Sequence, residues 1–209
     1  MGMQKLVKGI HSFQQGFFQK NRELFQELAE KGQRPDTLFI TCSDSRVLPN
    51  TITSSRPGEL FIVRNVGNVI PRTDLVGGTL AAIEYGVEVL GVGHIIVCGH
   101  TQCGAIAAIL EPERMESLPY VKRWLAQTEK VRGVIAERYG DLAPDAQRMA
   151  AVQENVLMQL EHLREYAFVQ KRIDAGKLDV SAWVFDVETG GVFDYDPTLC
   201  EFLPIGAKK

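Results

Sequence analysis

Short apolar runs and longer amphipathic segments alternate along the chain. The runs are typical of buried strands, and they lie at 37–41 (TLFIT), 59–64 (ELFIVR), 94–98 (HIIVC) and 179–187 (DVSAWVFDV). Segments with apolar residues near helical spacing lie before and between them, at 5–30, 77–90, 104–110, 119–139 and 144–166. Because strands and helices follow one another in turn, the pattern predicts an α/β fold with a mostly parallel central β-sheet flanked by helices.

The two ends of the chain differ from this alternating part. Residues from about 4 to 34 predict an N-terminal helical arm, which ends at the turn Gly32-Gln33-Arg34-Pro35. Near the other end, Gly190-Gly191 turns the chain toward Val192-Phe193, which predicts an antiparallel edge strand. The 209 residues fit one domain. We therefore predict a single domain over 1–209, made of the arm, an α/β core at 35–196 and a tail at 197–209.

Two motifs carry the candidate chemistry, and each follows a predicted strand. TCSDSRV ends the first run and supplies Cys42, while CGHTQCG ends the third and supplies His100 and Cys103. The carboxyl ends of parallel strands form one rim, so we expect these side chains to converge. Thiolate and imidazole are the preferred zinc ligands, which predicts one zinc ion per chain. Cys98 is a rival ligand, although a cysteine in an apolar strand is more often a core residue.

Asp44 and Arg46 are two residues apart in the first motif. In extended chain they lie on the same side as Cys42. A surface ion pair is the plain interpretation. Beside a metal, Arg46 would instead hold the carboxylate away from the fourth coordination position, and three protein ligands with one water are typical of a catalytic zinc site. Gly104 starts the helix after the last ligand, where its N–H can face an oxyanion.

Composition excludes several function classes. The formal net charge is −3, without a basic stripe, so nucleic acid and anionic membranes are poor partners. We find neither an apolar run near the roughly 20 residues that span a bilayer nor a signal-peptide apolar region. Four cysteines do not make a disulfide scaffold, so we expect a reducing cytoplasm. The glycines do not fit G-x-G-x-x-G after a strand, which disfavours NAD binding.

The motifs together resemble those of the β-class carbonic anhydrases. The likeness rests on TCSDSRV, PGELFIVRNVGN, AAIEYGV and IIVCGHTQCGA, and it runs from about residue 4 to residue 196. It implies an enzyme that interconverts carbon dioxide and bicarbonate with a zinc-bound hydroxide as nucleophile. It places the zinc ligands on Cys42, His100 and Cys103 and the Asp–Arg dyad on Asp44 and Arg46.

The resemblance extends to the plant-like members, whose site keeps an open water position. It implies that Gln33 binds substrate and that Phe61, Val66 and Tyr85 form the aromatic and apolar pocket. It also implies a homodimer as the minimal unit, or a tetramer or higher oligomer. The glutamine and aromatic residues would come from the neighbouring subunit, over which the N-terminal helix packs.

Two alternatives share the same ligands. A carbon disulfide or carbonyl sulfide hydrolase would use the scaffold with a reshaped access path. A non-catalytic zinc-binding relative would use the metal only for stability. The second alternative is disfavoured because a structural site needs none of Asp44, Arg46 and Gln33, which are all present.

Overall fold

The computed structural model describes residues 2–73 and 75–206. The α-helices in these residues are Met3–Gln15 (α1), Phe17–Lys20 (α2), Arg22–Lys31 (α3), Pro49–Ile52 (α4), Gly78–Glu84 (α5), Gly104–Leu110 (α6), Pro119–Leu125 (α7), Glu129–Arg138 (α8), Pro144–Arg164 (α9) and Ala167–Asp174 (α10). The β-strands are Thr37–Cys42 (β1), Leu60–Asn65 (β2), His94–His100 (β3), Asp179–Phe185 (β4), Val192–Asp196 (β5) and Glu201–Pro204 (β6). Short 3₁₀ turns lie at Val66–Asn68, Pro112–Met115 and Ala126–Thr128, and a π-helical segment lies at Tyr85–Val89.

The six strands form one sheet in the order β2-β1-β3-β4-β5-β6. β1 pairs in parallel with β2 and β3, and β3 pairs in parallel with β4, whereas β5 and β6 are antiparallel. This confirms the predicted α/β class and the antiparallel edge strand. β6 lies within the predicted tail and extends the sheet by one more strand; residues 207–209 of that tail lie outside the described residues.

The two faces of the sheet are covered differently. Helix α9 packs against β3 and β4, and this side holds the larger core, which includes Leu38, Ile40 and Val156. The opposite face carries a small cluster of Phe39, Ile96 and Cys98, with partly buried side chains around it. Both faces of β1 and β3 are therefore apolar, which explains why these strands read as continuous apolar runs.

The predicted helix over 5–30 is broken into three pieces. The breaks fall at Gly16, whose φ and ψ are −110° and −89°, and at Asn21. The bends bring Phe25 against the earlier aromatic rings of the arm, with ring centroids 5.1 Å from Phe18 and 6.2 Å from Phe13. No residue of α1, α2 or α3 is buried in this single chain. The arm thus gathers its aromatic rings but leaves an apolar side exposed.

Two other predicted helices also have internal breaks. The segment 119–139 forms α7 and α8, separated by the 3₁₀ turn, and the segment 77–90 passes from α5 into the π-helical segment. The helices α4 and α10 were not predicted, and they are short, with four and eight residues. Among the described residues, no helix is both long and apolar enough to cross a membrane.

Candidate metal and catalytic site

The three predicted ligands meet at the carboxyl edge of the sheet. Cys42 is the last residue of β1, His100 is the last residue of β3, and Cys103 is the N-cap of α6. Their ligand atoms all lie within 4.8 Å of one another, and the two sulfur atoms are 3.9 Å apart. All three residues are buried. The structure therefore brings together the residues that the two motifs placed on a common rim.

The donor set fits a tetrahedral zinc ion. His100 Nδ1 lies 2.8 Å from the carbonyl oxygen of Thr101, and a carbonyl can only accept, so Nδ1 carries the proton. The lone pair is then on Nε2, which is buried and has no hydrogen-bond partner. Two zinc–sulfur bonds of about 2.3 Å at a tetrahedral angle place the sulfurs about 3.8 Å apart, close to the observed separation of 3.9 Å.

The two thiols strongly influence each other's protonation. The hydrogen bond from the Cys103 thiol lowers the pKa of Cys42, and the same interaction, with burial, raises the pKa of Cys103. Backbone amides at the start of α6, those of Ala105 and Ile106, act in the opposite direction on Cys103 by lowering its pKa. Each thiol therefore affects the protonation of the other, and a bound divalent cation would stabilise both thiolates.

A bidentate ion pair lies at the edge of this cluster. Asp44 Oδ1 accepts hydrogen bonds from the Arg46 backbone N–H and Nε, each at 2.9 Å, and Oδ2 accepts from Nη2 at 2.7 Å. Oδ2 is also 3.8 Å from the free Nε2 of His100. Hydrogen bonding from Arg46 holds the pKa of Asp44 well below its usual range. The carboxylate is thus ionised and held beside the three candidate ligands.

Two residues that the sequence did not single out hold this loop in place. Arg64 on β2 donates from Nε to the carbonyl of Cys42 at 3.1 Å and from Nη2 to the carbonyl of Asp44 at 2.7 Å. Gln102, between two candidate ligands, accepts hydrogen bonds from the Arg46 guanidinium. The available signals were the RNVGN motif for Arg64 and the position within CGHTQCG for Gln102.

A line of buried polar side chains on α9 holds the loop after β2. Asn155 donates to the carbonyl of Gly67 at 3.2 Å, Gln159 accepts from the Ile70 N–H at 2.7 Å, and His162 donates to the Ile70 carbonyl at 3.0 Å. Gly67 has a φ of +78°, which favours glycine. Its backbone amide lowers the pKa of Cys42. Helix α9 therefore positions a backbone group that supports one of the thiolates.

Two of the predicted pocket groups belong to segments that adjoin this cluster. Val66 begins the same loop, is 42% exposed, and is fixed through its carbonyl, which accepts from the Trp124 indole N–H at 2.8 Å. Gly104 is the first residue of α6 and is exposed, with open space where a Cβ would be. These two residues can therefore serve a ligand at the cluster of their own chain.

The other three predicted pocket residues lie toward the opposite end of the strands. Phe61 and Tyr85 contact each other, with ring centroids 6.0 Å apart, and Phe61 is paired with Leu38. Leu38 is four residues before Cys42, about 13 Å along the strand. Gln33 is exposed and precedes the amino end of β1. Within one chain the structure does not bring these residues to the metal cluster.

The two remaining cysteines are separate from the cluster. Cys98 lies on the other face of the sheet with Phe39 and Ile96, and its burial raises its pKa to about 12. Its thiol lies 3.4 Å from the carbonyl of Gly99. Cys200 is exposed near the edge strand β6. Cys98 is thus a core residue rather than a member of the ligand group.

Comparisons with known proteins agree with this fold and cluster. The profile of the family described as carbonic anhydrase matches residues 37–192. The carbonic anhydrase of Synechocystis sp. is 42% identical over 203 residues, which cover 96% of this chain and 74% of that protein. Among solved structures, the β-carbonic anhydrase CcaA is similar with a TM-score of 0.94 and 41% identity, covering 97% of this chain and 98% of that one. A tetrameric β-carbonic anhydrase of Sordaria macrospora has a TM-score of 0.83 and 30% identity, covering 91% of this chain and 95% of that one. The chain therefore belongs to the β-class carbonic anhydrases.

Proposed function

We propose that this carbonic anhydrase hydrates carbon dioxide reversibly at a zinc ion held by Cys42, His100 and Cys103. The observation that carries the assignment is the buried Nε2 of His100, which has no partner and adjoins two thiols that are 3.9 Å apart. When bound, zinc supplies Lewis acidity that lowers the pKa of a water molecule and so provides a nucleophile near neutral pH. Among the described residues, no other group of His, Cys, Asp and Glu converges in this way.

Asp44 has the role of orienting the reacting water. Arg46 occupies both carboxylate oxygens from one side, and its hydrogen bonds keep the carboxylate ionised. Asp44 Oδ2 is the carboxylate oxygen near His100, and it still has a free lone pair. It can therefore accept a hydrogen bond from the reacting water and orient a lone pair of the water oxygen toward carbon dioxide. The same clamp keeps Asp44 from acting as a fourth metal ligand, which is the property of an open, plant-like site.

Carbon dioxide is apolar and needs an apolar wall with few polar contacts. Val66 offers that wall from the loop held by α9, and the Gly104 N–H at the start of α6 can donate to an oxygen on which negative charge develops. Release of bicarbonate then requires only exchange with water. Proton release passes from the site to a buffer or to an exposed group.

The rest of the pocket comes from a second copy of the chain. Gln33, Phe61 and Tyr85 lie near the amino ends of β1 and β2, too far along the strands to reach their own cluster. The arm supports an assembly because its apolar side chains are exposed; they include Met3, Leu6, Ile10, Phe13 and Phe17. We propose a homodimer as the minimal unit, in which these three residues complete the neighbour's site. A tetramer built from such pairs is compatible with this proposal, and the similar enzymes of Sordaria macrospora are tetrameric.

Free thiols at Cys42 and Cys103 fit a reducing compartment, as in the cytoplasm. The experiment that tests the function is stopped-flow carbon dioxide hydration by the purified protein. We expect activity in the zinc-loaded protein, loss after a chelator removes the metal, and recovery when zinc is restored. Cys98→Ala is the matched control and should behave as the parent. Unchanged activity in fully metal-free protein would contradict the proposal.

A further inference from the structure

The turn between the second and third candidate ligands has an unusual backbone. Gln102 lies between His100 and Cys103 and has a φ of +57°. Among the described residues only four non-glycine residues have a positive φ, and this one immediately precedes a candidate ligand. Such a conformation is uncommon for a residue with a Cβ, and strained positions cluster at functional sites.

Gln102 holds the Arg46 guanidinium through two separate acceptors. Its side-chain Oε1 accepts from Nη1 at 3.2 Å, and its backbone carbonyl accepts from Nη2 at 3.1 Å. The other side of the same guanidinium is bound to Asp44 through Nε and Nη2. Arg46 thus connects the loop after β1 to the loop after β3.

Arg46 would be loosely held without this second attachment. Its side chain is 45% exposed, and no third residue among those described accepts a side-chain hydrogen bond from it. A long exposed side chain that binds only Asp44 could move together with it. The attachment to Gln102 fixes the guanidinium relative to the turn that carries two of the ligands.

We propose that Gln102 is a positioning residue, which anchors Arg46 and thereby keeps the Asp44 carboxylate from coordinating the metal. This inference rests on the proposed function, in which the Asp44–Arg46 pair keeps the fourth metal position open. Gln102 does not touch the reacting atoms. It acts through the guanidinium, and its backbone carbonyl keeps part of the anchor in any side-chain variant.

The test compares zinc-loaded Gln102→Met, Gln102→Glu and Arg46→Ala proteins with the parent. Methionine keeps the length and the Cβ but removes the acceptor, whereas glutamate keeps an acceptor oxygen. Gln170→Met on α10 is the control, because the side chain of that glutamine hydrogen-bonds only to Asp174 among the described residues. The measurements are zinc content, the rate of zinc release to a chelator, the Asp44–zinc distance in crystals, and carbon dioxide hydration.

We expect Gln102→Met to retain one zinc per chain and to release it more slowly than the parent, because Asp44 becomes a ligand. Its carbon dioxide hydration should fall by about tenfold, which is the effect expected from the loss of one hydrogen bond to a charged group. Gln102→Glu should restore the parent's coordination. A role limited to shaping the turn predicts the reverse, with faster zinc release and no carboxylate on the metal, and that result would overturn the inference. Parent-like coordination and activity in Gln102→Met would overturn it as well.

Arg46→Ala separates this inference from the proposed function beneath it. If Arg46→Ala brings Asp44 onto zinc while Gln102→Met does not, only the role of Gln102 is wrong. If Arg46→Ala leaves the carboxylate off the metal and the activity unchanged, the gating role of the ion pair fails, and the inference fails with it.

Discussion

Complementation between two impaired variants should raise activity if each site is shared between chains. Gln33 lies before the amino end of β1, and three residues later the carbonyl of Asp36 accepts from the N–H groups of Gly93 and His94 at the amino end of β3. β1 then runs from Thr37 to Cys42, which spans about 17 Å at about 3.3 Å per residue. A glutamine side chain cannot cover that distance, so we predict that Gln33 serves the site of a neighbouring chain.

The expected size of the effect follows from counting sites. Gln33→Ala removes one polar contact to the transition state, worth about 1 to 3 kcal/mol, and should lower kcat/KM by about 5- to 150-fold. Cys42→Ala loses the metal centre. When the two chains exchange at equal concentration, about half of the dimers are mixed, and each mixed dimer has one complete site and one site lacking both groups. About a quarter of all sites should therefore be intact.

The assay is stopped-flow carbon dioxide hydration of the mixture, with the two chains carrying different tags so that mixed dimers can be isolated. A mixture of Cys42→Ala with His100→Ala is the matched control, because neither chain supplies a complete ligand set and no activity should return. The reasoning is refuted if mixed dimers of the Gln33→Ala and Cys42→Ala chains form and show no more activity per intact ligand set than the Gln33→Ala parent. Gln33 would then act within its own chain or have no role.

Three further predictions concern the site and its support. Arg46→Ala should keep zinc but lose carbon dioxide hydration by at least about tenfold, since a charge-assisted pair is lost; near-parental turnover would exclude the clamp. Arg46 holds the pKa of Asp44 below its usual value, so this carboxylate stays ionised at neutral pH and above. The pH dependence of kcat/KM should therefore come from the reacting water, and kcat/KM should rise from about pH 6 to about pH 9 as that water loses its proton. A flat profile in well-buffered solution would contradict this. Gln159→Leu leaves the buried N–H of Ile70 unpaired, which should lower the free energy of unfolding by about 1 to 3 kcal/mol and Tm by several degrees. The control Glu161→Leu, on the exposed side of α9, should change Tm little. Equal Tm shifts in the two variants would show that the hydrogen bond is not the cause.

The parallel strands and the cluster of candidate metal ligands were predictable because both depend on local sequence. Apolar runs such as TLFIT and HIIVC require burial on both faces, and the ligands come directly after them. Side-chain alternation alone was less informative, since it places His100 on the same face as Cys98, two residues earlier. The imidazole instead joins Cys42 and Cys103, because β3 ends there and the chain turns into α6.

The parts that sequence could not predict depend on contacts between distant segments. Asn155, Gln159 and His162 are polar, and helical periodicity alone assigns such residues to a solvated face, yet they are buried against the loop after β2. The breaks at Gly16 and Asn21 bring Phe25 against Phe13 and Phe18, and helical spacing does not reveal these contacts. The hydrogen bonds of Gln102 with Arg46 could not be predicted either, because a glutamine in a turn usually contacts solvent.

The zinc content of purified single-residue variants tests the central claim most directly. Elemental analysis should give about one zinc per chain for the parent and for Cys98→Ala, since Cys98 lies on the other face of the sheet. Cys42→Ala, His100→Ala and Cys103→Ala should each lose most of the metal, because each removes one of the three donors at the carboxyl edge. Full zinc occupancy in any of these three variants, or an equal loss in Cys98→Ala, would contradict the assignment of the metal centre.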